Sequence, residues 1–504
     1  MITDATDTDR SRFAEPFDVC VIGSGPAGLT ITRTLAAAGA RVALMEAGGL
    51  DLSEASQDVY RGTNIGQDYF DLDVARLRYF GGTSNHWAGW TRALDAFDFA
   101  PKPFMPLSGW PISHIDLDPF RTEADHILDV PSATEAPDLP VRQKGYDFRR
   151  FQFRWSPPTR FAEKYGPEVE ASDRILLVLN ANLVDLRLTD DLGSVAGAVF
   201  RSYAPDDPGF TVTARSYCLC TGGIENARLL LNFTSQVPEG IGNRTGMVGR
   251  CFCDHPHFVL ADVQLRELVP EREFYSPFET FILQHECLNF GMRLEPNWIE
   301  AWDLPALGRA PAAAMPEADF AILMNEMVRE PATDLSLTRR AVLPEPKGQT
   351  GVLRMAQEQA QNPDSRVTLG AERDAFGLRR VALDWQLSPL DVHTMRVAVA
   401  EFGAHLAEQG IGRAKVRPWL LEEPARIPGV LEDEVGGKHH MSTTRMADDP
   451  RHGVVDGDCR VHGVANLYVG GSSVFATTGH CNPTYTIVQL ALRLGTHLAS
   501  ELGG

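Results

Sequence analysis

The chain has 504 residues, and its 47 Lys and Arg against 67 Asp and Glu leave a formal charge of −20. That length is too great for one simple core and suits two domains sharing a seam, while 43% apolar and 23% charged residues are ordinary for a globular protein. The negative balance disfavours nucleic acid and anionic membrane surfaces as partners and mildly favours a neutral substrate.

The first eighteen residues are polar and lack an apolar core segment, so no secretory signal is expected. No stretch approaches the roughly 20 apolar residues of a membrane helix, so no membrane insertion is expected. Eight cysteines include two C-x-C pairs and no zinc-like C-x-x-C spacing, which reads as buried reduced thiols and a cytoplasmic location. No metal site is expected.

Phe17 to Ile22 reads as a buried strand, Pro26 to Ala38 as a helix ended by Gly39, and Arg41 to Glu46 as a second strand, together a right-handed βαβ unit. Residues 96–170 are rich in Pro, aromatics and charge, with few periodic elements. Arg174 to Asp185 and Val199 to Thr221 look β-rich. Residues 256–430 mix strand-like segments with a Pro-punctuated stretch, Pro305 to Pro346, and one helix, Pro389 to Gln409. A last helix is expected over Thr486 to Leu502.

Gly23-Ser24-Gly25-Pro26-Ala27-Gly28 follows the first strand and opens the helix, the context a dinucleotide fingerprint requires. Gly23 permits the turn, Gly25 admits a pyrophosphate to the backbone, and Gly28 allows close helix–strand packing. The helix N-terminus adds partial positive charge. Glu46 ends the second strand, where an acid would bind ribose hydroxyls and repel a 2′-phosphate, which disfavours NADP. At the other end of the chain stand the histidines of KHHMSTTRM, His439 and His440, and the pair His480 and Asn482. A cradle at one end and a His–Asn constellation at the other suggest a flavin enzyme that takes hydride from an alcohol. Both ends must then meet at one cofactor. The fold class is therefore α/β: a Rossmann-like nucleotide domain assembled from residues 1–95, 171–255 and 432–504, with an α+β substrate domain formed from the insertions 96–170 and 256–431.

Met45-Glu46-Ala47-Gly48-Gly49, Gly81-Gly82-Thr83-Ser84, Thr221-Gly222-Gly223-Ile224-Glu225-Asn226-Ala227-Arg228 and Asn482-Pro483-Thr484 together resemble the glucose–methanol–choline family of FAD oxidoreductases, in its sugar-oxidising branch. The resemblance implies FAD, with Ala47 beside the ribose-binding acid and the loop Gly82, Ser84, Asn85, His86, Trp87 and Ala88 against the flavin edge. It admits a covalent bond through His86 without favouring one. Val184 would offer backbone to the adenine. Gly471 stands where the family usually has Asp, so backbone contacts from Gly471 and Ser472 are expected instead. Pro483 and Thr484 would lie near the flavin pyrimidine.

Alcohol oxidation needs a base near its working pH for the hydroxyl proton and a second hydrogen-bonding group to hold the same oxygen. Family spacing to a downstream Met, here Met446, implies His439 as base, with His440 as the alternative, and Asn482 as its partner. His480 is expected to shape the pocket. The implied reaction is oxidation of a sugar or glycoside secondary hydroxyl to a ketone with hydride passing to flavin N5. Oxidation of a polyol or primary alcohol and a non-redox flavin-containing lyase are the alternatives. Oxygen or another electron carrier would be the acceptor.

Overall fold

A computed structural model of the chain describes residues 1–131, 139–141, 147–266, 273–296 and 349–503. The Pro305 to Pro346 stretch lies outside the described residues.

The centre of the molecule is a six-stranded sheet with the order Ile2–Asp4, Ile175–Leu179, Val42–Met45, Phe17–Ile22, Ala214–Leu219, Leu467–Val469. Every pairing in it is parallel. Parallel strands are buried on both faces and so need continuous apolar runs. FDVCVI and VALM supply them, with nine of their ten residues buried. The sheet takes strands from the beginning, middle and end of the chain. Its crossover helix, Pro26–Ala37, packs on the C-terminal helix, Thr484–Gly503. A Cβ on Gly495 would stand 2.9 Å from Thr34 Cβ, so the two helices approach at a point where only hydrogen fits. The first and last helices thereby lie side by side.

A second sheet of seven strands runs Gly412–Val416, His257–Leu265, Gln349–Gln357, Phe290–Pro296, Phe274–Pro277, Phe148–Phe151, Leu139–Val141, with every pairing antiparallel. The helix Pro389–Glu408 packs on it, opened by a capping box in which Ser388 and Asp391 satisfy each other's backbone donors. A third, small sheet pairs Gly62–Asn64 in parallel with Arg379–Asp384, and so ties the N-terminal segment to chain some three hundred residues on.

Residues 96–170 hold more regular structure than their composition suggested. Phe161–Ala171 is a helix despite Pro167 inside it. FAEKYGPEVEA carries Gly and Pro, which act as helix breakers in isolation, but burial of Phe161, Tyr165 and Val169 on one face holds it. It matters for the site, because Phe161 N donates to Ser84 Oγ at 3.3 Å. The C-terminal helix begins at Thr484, two residues before the expected Thr486, with Ile487 N donating to Pro483 O at 2.9 Å. All eight cysteines are buried and unpaired. Among the described residues no helix is long and apolar enough to cross a membrane.

Candidate functional site

One cavity of about 680 Å³ runs from the first strand–helix turn to the facing wall of the antiparallel sheet. At one end Gly23 to Ala27, Glu46 and Ala47 line it. Gly23 has φ of 101°, and a Cβ there would stand 2.5 Å from Cys220 O, so only glycine fits beside the neighbouring strand. A Cβ on Gly25 would meet nothing within 4 Å. The cradle is therefore closed by protein at its back and open where a diphosphate would approach, which is how FAD fits these residues.

Glu46 is 5% exposed and already engaged. Its Oε2 accepts from Ser24 N at 3.0 Å and Ser24 Oγ at 2.6 Å, and its Oε1 accepts from Gly48 N at 2.8 Å. An ionised carboxylate has about four acceptor positions, so one remains for a ligand hydroxyl. Glu46 thus braces the turn as well as facing the cavity, a duty its spacing did not reveal.

Gly82, Ser84, His86, Trp87 and Ala88 line the middle of the cavity. Ser84 Oγ donates to Gly81 O at 2.8 Å, Arg160 holds Ser84 O at 2.8 Å, and Trp87 Nε1 donates to Thr159 O at 3.0 Å. Burial and the cations Lys438 and Arg160 push the His86 pKa down. On the opposite side Gly471, Ser472, Pro483 and Thr484 complete the wall. Gly471 has φ of 101° and ψ of −171°, a conformation essentially confined to glycine. A side chain such as the expected Asp would be strained at this position.

Three of the expected contacts fall outside the lining. Gly28 sits behind the turn, Asn85 turns its Nδ2 to Phe80 O at 2.9 Å, and Val184 lies at a register irregularity between Leu183 and Asp185. Ala181, Asn182 and Leu183 line the cavity in place of Val184, because the bulge turns the strand there.

At the far end Asn482 Nδ2 stands 3.3 Å from His439 Nε2. Behind His439, His255 Nδ1 lies 3.0 Å from His439 Nδ1, and His255 Nε2 lies 3.3 Å from Thr478 O. Asp254 pins the segment: Oδ1 accepts from His439 N at 2.8 Å and His255 N at 2.6 Å, while Oδ2 accepts from Lys438 N at 3.0 Å and from the Tyr69 hydroxyl. Desolvation pushes His255 and His439 down to about 3, so both rings are neutral. His440 points away, among Tyr69 and Phe252, and desolvation takes it to about 4. His480 stacks on Phe151 with ring centroids 5.2 Å apart, and its buried Nε2 has no hydrogen-bond partner.

The wall facing His439 carries polar groups that meet one another. Arg354 meets Asp433 at 2.9 Å and Glu295 at 3.1 Å, and His257 lies 3.8 Å from Glu434, whose carboxyl is held at about 2 chiefly by the nearness of His257. Trp90, Phe153 and Phe274 add apolar faces. Sequence reasoning missed Asp254, His255 and His257, although the run Asp254-His255-Pro256-His257 was a visible cluster of titratable side chains.

Residues 361–491 match the GMC oxidoreductase family in its C-terminal part. The chain is 24% identical to 2-methyl-1,2-propanediol dehydrogenase of Mycolicibacterium austroafricanum over 96% of each chain. It is 31% identical to C-glycoside 3-oxidase of Arthrobacter globiformis over 26% of this chain and 23% of that one. Its fold resembles pyridoxine 4-oxidase from Mesorbium loti with a TM-score of 0.57 at 15% identity, covering 95% of this chain and 99% of that one. The match over residues 361–491 likens the C-terminal part of this chain to the GMC oxidoreductases, and the whole-length relative together with the parallel sheet and its glycine cradle extends that likeness, and the fold, to the rest of the chain.

Proposed function

We propose that the chain oxidises a secondary hydroxyl of a sugar or sugar glycoside to a ketone, with FAD held in the cradle and His439 and Asn482 gripping the hydroxyl. Gly23 to Ala27, Glu46, Gly82, Ser84, Gly471 and Thr484 would hold the cofactor, which supplies the hydride acceptor when bound. We read the FAD as non-covalent, with His86 beside it. Residues 1–95, 171–255 and 432–504 are read as the FAD-binding domain, and the two insertions as the substrate domain.

The observation that carries this reading is the 3.3 Å pair of His439 and Asn482 on the wall of the same cavity as the glycine cradle. A neutral imidazole takes the hydroxyl proton on Nε2. The carboxamide donates to the substrate oxygen as negative charge builds on it, a charge-assisted bond strongest in the transition state. Held together, they fix the carbon so that its C–H bond has one direction to point. The polar groups of the facing wall meet one another, and aromatic faces lie beside them, which suits a neutral hydroxylated ligand. The partial relative named for a C-glycoside supports the sugar class.

The whole-length relative named for a diol supports a second reading, oxidation of a polyol or simple alcohol in the same site. Anaerobic titration of the holoprotein with monosaccharides, glycosides, polyols and simple alcohols tests both. Loss of the oxidised flavin absorbance with sugars or glycosides, and a keto product, is the expected result. Bleaching by diols alone favours the second reading, and no bleaching by any compound leaves a non-redox lyase.

A further inference from the structure

We infer that His255 is a positioning residue that fixes the tautomer of His439, so that Nε2 of His439 presents a lone pair to the substrate. The inference rests on the reading of His439 as base, and it follows from two contacts whose polarity is forced. Thr478 O is a carbonyl oxygen and can only accept, so the contact at 3.3 Å places a proton on His255 Nε2. A neutral imidazole has one N–H, and His255 Nδ1 is then bare. Across the 3.0 Å contact between the two Nδ1 atoms one ring must donate. With His255 Nδ1 bare, the donor is His439 Nδ1–H. His439 Nε2 is left unprotonated, and the Asn482 amide at 3.3 Å is oriented to donate to it.

The arrangement is rigid because both backbones are anchored to one group. Asp254 Oδ1 accepts from the amides of His255 and His439, at 2.6 and 2.8 Å. His255 itself is 1% exposed. Buried imidazole is a costly choice for a packing residue unless its polar atoms are used, and both are used here. The usual orienting partner of a catalytic histidine is a carboxylate, which also stabilises the imidazolium. A neutral imidazole orients without adding a charge. It selects the tautomer while leaving the base weakly basic. The proton taken by Nε2 cannot run on through His255, because the chain of bonds ends at a backbone carbonyl; it must leave by the cavity.

The decisive measurement is 15N NMR of the histidine-labelled wild-type holoprotein near neutral pH. The His439 ring should show a protonated Nδ1 and a bare Nε2, and the His255 ring the reverse. A protonated Nε2 on His439 overturns the inference whatever the activity. The kinetic arm uses His255→Phe, which keeps a ring and removes the acceptor, and His255→Asn, whose amide oxygen can accept at the Nδ1 position. His255→Phe should lower the rate of anaerobic flavin reduction by the best-reducing compound of the titration about 100-fold, with its dissociation constant within about threefold of wild type. His255→Asn should recover most of the rate. Undiminished reduction in His255→Phe, with His439→Ala inactive, overturns the role of His255 and leaves the proposed function standing. Undiminished reduction in His439→Ala overturns the reading of His439 as base while the oxidation itself stands, and the NMR result still decides the tautomer.

Discussion

A Cβ added to Gly28 would stand 1.8 Å from the carbonyl oxygen of Gly23, while one added to Gly25 would meet no protein atom within 4 Å. The two glycines of one fingerprint therefore differ: the fold requires the first, and the second faces open space, where the proposed FAD would lie. Gly25 has φ of −70° and ψ of −174°, which any residue can adopt. Gly25→Ala should leave the stability of the apoprotein within about 0.5 kcal/mol of wild type and weaken FAD at least tenfold by crowding the approach to the helix N-terminus. Gly28→Ala must displace the Gly23 turn from the first helix, a shift that costs about 1–3 kcal/mol. Chemical unfolding of the apoproteins beside FAD titrations separates the two. Equal effects of both substitutions on stability would contradict it.

Glu46 gives a second prediction. All three of its protein partners are donors, and they use both carboxylate oxygens. In Glu46→Gln one of those oxygens becomes an NH2 group facing an N–H, and a buried donor is left unmatched. That costs about 1–3 kcal/mol. Loss of stability in the absence of FAD is the informative part, since a residue serving the ribose alone would weaken only cofactor binding. Unchanged unfolding of the Glu46→Gln apoprotein would assign Glu46 to the ligand only.

The strand and helix of the nucleotide unit were readable because their signals are local. FDVCVI is an unbroken apolar run, and GSGPAG sits where it must turn; the observed strand spans Phe17–Ile22 and the helix Pro26–Ala37. Asn482 before the last helix and His439 upstream were visible as chemistry, but the 3.3 Å between them depends on a fold that no local pattern encodes. His255 was hidden for another reason. It lies at the mouth of a long strand of the other sheet, and its meaning comes only from two atoms in distant segments. Val184 shows the limit of a local reading: the strand was legible, but the bulge beside it, which puts Leu183 rather than Val184 on the cavity wall, was not.

Buried neutral histidines also set a pH dependence. His255, His440 and His480 are pushed down to about 3, 4 and 3, each chiefly by desolvation. An unfolded histidine titrates near 6.5. Below that pH the unfolded chain binds protons that the folded one refuses, so stability falls as pH drops from about 6.5 toward 4. Each such histidine costs roughly 2 kcal/mol between pH 7 and pH 5. Asp98 and Asp391 oppose this, since burial raises them to about 7 and 6 and the folded state holds their protons first. The net sign is still destabilisation by acid. His480→Gln, neutral at every pH, should lose less stability than wild type between pH 7 and pH 5, by roughly that 2 kcal/mol. Parallel stability curves for the two proteins would show that His480 is not held neutral.

The two adjacent histidines of the C-terminal segment differ in surroundings enough to be told apart. His439 reaches Asn482 and His255, whereas His440 turns toward the rings of Tyr69 and Phe252 and gives its carbonyl to Ser472 Oγ at 2.6 Å. A Cβ on Gly223 would strike that same carbonyl at 2.0 Å, so the His440 backbone is wedged against the Thr221 loop. Removing the His439 ring takes away the proposed base and leaves the wall intact. His439→Ala should retain FAD and lose flavin reduction by about 10²–10⁴-fold, the usual worth of a positioned base. Asn482→Ala should lose about 10²-fold, the usual cost of deleting one donor to a developing oxyanion, and the two losses should not add, because both side chains act on one oxygen. His440→Ala leaves a cavity in an aromatic cluster and should lower the unfolding midpoint while changing reduction less than tenfold. Stopped-flow reduction of the three single variants and the His439–Asn482 double variant measures all of this. Fully additive losses in the double variant would mean that the imidazole and the amide act on different atoms.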